Sequence, residues 1–157
     1  MNSVLSVLAI LLAALISPAV IKVLEDRLLR QRREIEARSR FQIETMISLQ
    51  EAIRNLQVAT ARVYLAMAAV ADSTGKWPKS SEVEGTSYAL GEANGRVTML
   101  MERLIDEGIR QDIKLLWSTY SSVVQANDRN ESSKALAESG PIHRRVNEKL
   151  GEILRSK

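Results

Sequence analysis

MISLQEAIRNLQVATARVYLAMAAV, residues 46–70, is the stretch whose reading decides the fold. Met46, Leu49, Ile53, Leu56, Thr60, Val63, Met67 and Val70 follow one another at spacings of 3, 4, 3, 4, 3, 4 and 3. That is a heptad seam, and it specifies a helix with one buried stripe. Ala52, Ala59 and Ala66 form a row of small residues beside the seam, where another helix can come close. Ile43, Ile47 and Tyr64 widen the apolar face beyond a two-stranded seam, which favours a bundle. Asp72-Ser-Thr-Gly75-Lys-Trp-Pro78 then supplies Gly and Pro where a helix should stop.

Downstream the same logic repeats. Ser81-Glu82-Val83-Glu84 has the spacing of a capping box. Leu90, Val97, Met101 and Leu104 follow at helical intervals, and Gly91 and Gly95 are placed to let two bundle helices touch. Gly108 has the character of a helix-closing residue, with Ile109 making the contact that accompanies such caps. Ile113, Leu116, Trp117, Tyr120, Val123 and Val124 mark a further apolar face, and Asn127-Asp-Arg-Asn130 breaks it. Residues 131–139 read equally as short helix or loop. Gly140-Pro141 punctuates, and Ile142, Val146, Leu150 and Ile153 form a last amphipathic helix. Residues 43–157 are thus expected to fold as an antiparallel helical bundle domain.

Upstream, Val4–Ile21 is uncharged: 11 of its 18 residues are Val, Leu or Ile. As a helix it extends ~27 Å, close to the hydrocarbon thickness of a bilayer. A secretory signal would need a basic leader, which Met1-Asn2-Ser3 lacks, and the apolar run continues past Ser17-Pro18-Ala19. Residues 1–21 are therefore expected to be a single-pass transmembrane helix, a signal-anchor retained in the mature chain. Ala9, Ala13 and Ser17, four apart, offer a face for membrane-helix association. Seven basic residues follow between Lys22 and Arg40 and none precede the run. The charge rule then places the N-terminus outside and residues 22–157 in the cytoplasm, at the inner (plasma) membrane. Residues 22–42 read as a charged juxtamembrane helix continuous with the span, a stalk of ~30 Å. Its Lys22, Arg27, Arg30, Arg32 and Arg33 are placed for lipid headgroup contact. The expected fold class is all-α: a single transmembrane helix continuing into a charged helix, then the bundle.

The chain offers little to chemistry. It has no cysteine, so no disulfide, thiol nucleophile or thiolate metal site is available. His143 is the sole histidine, expected to be exposed and unable by itself to form a metal cluster or a triad. Glu102 and Asp106 share a helix face but lack a histidine partner. No phosphate-cradling glycine loop occurs. A net charge of +3, with Trp117 and Tyr120 on an apolar face, does not make a nucleic-acid surface. No catalytic, cofactor-binding or metal site is expected, and no small-molecule substrate. The expected function is a membrane-anchored, non-enzymatic helical interaction module that contacts a protein partner or a second copy of itself. The alternative is a structural, stalk-like subunit of a larger membrane complex.

Arg27-Leu-Leu-Arg-Gln-Arg-Arg-Glu34 and Arg96-Val-Thr-Met-Leu-Met-Glu-Arg-Leu104, following an uncharged run, resemble stretches of small bacterial single-pass membrane proteins with a cytoplasmic helical domain. The resemblance is one of architecture and implies no functional residues. The b-type peripheral-stalk subunit of rotary ATP synthases has a similar outline. Its nearly unbroken helix is incompatible with Gly75-Lys-Trp-Pro78 and Gly140-Pro141.

Overall fold

The computed structural model describes residues 18–156, which form four helices: α1 (Pro18–Thr74), α2 (Ser87–Met101), α3 (Glu107–Gln125) and α4 (Arg129–Arg155). A single 3₁₀ turn, Ser80–Glu82, lies between α1 and α2. Two units are distinguished, one running to Phe41 and the other from Gln42 to Lys157.

The second unit is the bundle, and its core is built on the heptad seam. Leu49, Ile53, Leu56, Thr60, Val63 and Met67 of α1 are fully buried, Met46 nearly so. Ala52 and Ala59 are buried beside them, so the small-residue row does lie against other helices. Val63 and Met67 form a smaller cluster with Val83, while Val97 and Leu100 of α2, Ile113, Leu116 and Tyr120 of α3, and Val146 and Leu150 of α4 complete the main core around the rest of the seam. Thr60 sits in it without penalty because its hydroxyl donates to the Leu56 carbonyl at 2.9 Å. Ile47 differs from expectation, being exposed; it lies one position off the seam and points away from every other helix.

Side-chain pairs across helices set their directions. Glu51 meets Arg96 and Gln42 meets the backbone at Arg103, so α2 runs antiparallel to α1. Val123 pairs with Ser132 and Asp112 with Lys149, so α4 runs antiparallel to α3. Tyr64 with Ser133 and Asp72 with Arg129 give the same relation between α1 and α4.

The helix ends show which local signals were decisive. Gly75 closes α1 at φ +70°, with its N–H donating to the Ala71 carbonyl at 2.8 Å; this left-handed stop is the expected one. The expected capping box lies elsewhere: the Lys79 N–H donates to Glu82 Oε2 at 3.0 Å, and α2 starts only at Ser87. Gly108 does not close α2. Asp106 accepts from the Ile109 N–H at 2.9 Å and caps α3, placing Gly108 in its first turn. A Cβ on Gly108 would come within 3.3 Å of that capping oxygen, so the glycine serves a start and not a stop. Residues 131–139 are helical, because Asp128 caps α4 by accepting from the Glu131 N–H. Pro141 then lies inside α4 instead of opening a new helix. It removes one backbone bond, to the carbonyl of exposed Ala137, where water can substitute. Buried Ser132, Ala135 and Ser139 before it, and Val146 and Leu150 after it, hold the helix in line.

The expected transmembrane helix is corrected. Among the described residues no helix is long and apolar enough to cross a membrane. Of the uncharged run only Pro18–Ile21 falls within α1, where eight charged side chains occupy Pro18 to Ile35. The remainder of the run lies outside the described residues. The single-pass, signal-anchor and inner-membrane assignments, with the N-terminus outside and the domain cytoplasmic, rested on that span and are withdrawn with it. The all-α bundle stands.

Candidate interaction surface

The α2–α3 hairpin carries an open apolar groove of about 470 Å³. Val97 and Met101 line it from α2, Ile113 and Trp117 from α3, with Thr98, Lys114 and Ser118 at its edges. The lining follows from helical geometry. Val97 and Ile113 are buried, and the residues four further on, Met101 and Trp117, are rotated outward by 40°. Trp117 is consequently 44% exposed, although it belongs to the apolar face that was expected to bury it. Its Nε1–H donates to Asn94 Oδ1 at 3.2 Å, which ties the ring across to α2. On the other side of the ring lies a smaller cavity of about 230 Å³, bordered by Thr60, Asn94 and Tyr120 and more polar in its walls.

Gly91 and Gly95 do not bring bundle helices together, as expected of them. Both are exposed, and a Cβ on either would meet nothing within 4 Å. With Thr98 they lie at i, i+4 and i+7, hence on one side of α2, and Thr98 lines the groove. The α2 backbone is therefore bare at Gly91 and Gly95. Met99, Ile105 and Leu115 are further exposed apolar side chains on or beside this hairpin.

The titratable groups elsewhere in the bundle serve to join α3 to α4. Tyr120 is buried, and its hydroxyl lies 3.0 Å from His143 Nδ1. Burial pushes the Tyr120 phenol well above its usual range, with a smaller opposing contribution from Ser139. The neutral phenol is thus the natural donor and Nδ1 the acceptor. Burial also lowers the pKa of His143, which is half-buried and not exposed as expected. Asp112, with its side chain 15% exposed, pairs with Arg145 at 3.0 Å and with Lys149. His143, Asp112, Arg145 and Lys149 face across the α3–α4 contact and line neither hollow, and Tyr120 borders the smaller one. Among the described residues, no group of three or more His, Asp or Glu side chains could hold a metal ion.

Of the sequence-derived site residues, Ala9, Ala13 and Ser17 lie outside the described residues. Lys22, Arg27, Arg30, Arg32 and Arg33 are exposed on α1. At 100° per residue they point in several directions around the helix and form no single basic stripe. Sequence reasoning missed the groove because it treated Ile113 and Trp117 as one face. The usable signal was the wheel: Trp117 lies beyond the arc filled by Ile109, Ile113, Leu116, Tyr120 and Val123. Asp112 was missed for want of a partner in its own helix; its partners, Arg145 and Lys149, form an i, i+4 basic pair on α4. Compared with known proteins, the chain matches no family model, no curated protein and no solved structure.

Proposed function

We propose that the chain is a non-enzymatic interaction module that receives an amphipathic helix of another protein along the α2–α3 groove. The observation that carries this reading is the open apolar channel beside Trp117. A groove walled by carbon, with hydroxyl and ammonium groups confined to its edges, suits the i, i+3, i+4, i+7 anchors of a partner helix. Half-exposed Trp is also the side chain most often found at the energetic centre of a protein interface. Gly91 and Gly95 add to this, because a helix laid along α2 meets backbone there and can come close.

The test places a photo-crosslinking residue at Ser118, on the groove edge, and separately at Glu148 on α4, each in the full chain. The expected result is a discrete adduct from position 118 that disappears with Trp117→Ala, while helical circular dichroism is retained. Equal adducts from both positions, or none from position 118, would overturn the reading. A second reading, a structural subunit of a larger complex, is supported by the exposed apolar side chains of residues 20–41. It predicts a stoichiometric complex that survives purification and does not change with Trp117→Ala.

A further inference from the structure

Residues 18–41 form a helix, and from residue 20 onward its side chains are exposed almost throughout. Yet Ile21, Leu24, Leu28 and Ile35 lie on one face at heptad spacing, and Leu28 and Ile35 are 58% and 66% exposed. Most helical stability in proteins comes from packing an apolar face, and among the described residues this stripe packs on nothing. Charges flank the stripe in a definite pattern, with Glu25 and Arg32 on one side and Arg27 and Glu34 on the other. Among the described residues these four belong to none of the ion pairs.

We infer that this face binds a second copy of itself, antiparallel, in the register that sets residue 18 opposite residue 41. The charge pattern selects both partner and register. In that alignment Leu24 packs on the partner's Ile35 and Leu28 on the partner's Gln31. Ile21 lies along the aliphatic stem of the partner's Arg38. Glu25 then faces the partner's Arg32, and Arg27 the partner's Glu34, so all four flanking pairs of the dimer attract. Val20 and Phe41, both exposed apolar side chains, meet at the two ends. Sliding one heptad in one direction opposes Glu25 to Glu25 and Arg27 to Arg27. Sliding in the other opposes Arg32 to Arg32 and Glu34 to Glu34. Parallel pairing in register sets Arg27 against the partner's Arg32. Of these four arrangements one escapes like-charge contact, and its overlap is the whole segment. On the flank of the stripe Glu25, Leu28, Leu29 and Arg32, an i, i+3, i+4, i+7 set, border a shallow depression of about 310 Å³.

The experiment uses the full chain, which has no cysteine of its own. L24C and I35C chains are oxidised separately and as a mixture. In the inferred dimer, like positions lie about 16 Å apart along the helix, too far for a disulfide, whereas position 24 meets position 35. The expected result is cross-linked dimer from the mixture alone. Cross-linking of L24C by itself would show parallel pairing and overturn the inference, as would a monomeric chain at tens of micromolar or a face that binds only a different protein. Sedimentation of charge variants gives a second readout. E25R should weaken dimerisation about tenfold, and E25R/R32E should restore it to within about threefold. Failure of the double variant to restore association would also overturn it.

Discussion

Burial of His143 against α3 has a cost that depends on pH. Its pKa is lowered from 6.5 by desolvation, so between 6.5 and the folded value the unfolded chain holds more protons than the folded one. The stability due to neutral His143 is therefore complete above pH 6.5 and is lost as the pH falls through the folded pKa. Urea midpoints taken from about pH 7.5 to about pH 5 should fall more steeply for the native chain than for His143→Gln. Equal slopes would show that the ring titrates as it does in water. The residue scale is also where sequence reading was least informative. A lone histidine beside Arg144 and Arg145 looks like a surface residue, and the phenol that covers it lies 23 positions away. The same holds for Gln42, whose amide accepts from the Ile105 N–H and donates to the Arg103 carbonyl, fastening the α2–α3 loop. Nothing local to Gln42 marks that role.

Glycine divides the helices into places where backbone freedom is needed and places where it is not. Gly75 holds a left-handed conformation at φ +70°, so Gly75→Ala should cost about 1 kcal/mol even though a Cβ there meets open space. Gly91 and Gly95 are helical and unobstructed, so Ala at either position should stabilise the bundle, by up to ~1 kcal/mol each. Thermal melts of the three variants test both statements, and a loss of stability in Gly91→Ala would show that α2 is in contact there. Elements with a strong period were legible: the seam of α1 is buried almost as spaced, and Val146 and Leu150 anchor α4 as expected. Boundaries were less so, since Gly108 and Pro141 each carry a stop signal that a neighbour overrules. Asp106 captures the first by capping forward, and the buried side chains on either side of the second keep α4 continuous. Both outcomes depend on tertiary contacts that the local sequence does not contain.

For the whole molecule, the core explains which part should fold by itself. The side chains of its main buried cluster start at Met46 and end at Leu150, with Ile153 and Leu154 packed against it. Residues 42–157 should therefore unfold cooperatively in urea, and Ile53→Ala in that fragment should cost about 2–5 kcal/mol. A broad, non-cooperative transition would mean that the seam requires another chain. The two tryptophans of this unit occupy unlike settings. Trp77 leans on Tyr64, with ring centroids 6.0 Å apart, and is mostly covered. Trp117 stands half in solvent between two hollows. The molecule thus carries its own optical reporter. With Trp77→Phe, the remaining emission comes from the groove alone. Any helix that settles there must strip water from the indole, so its arrival can be read as a blue shift without attaching a dye.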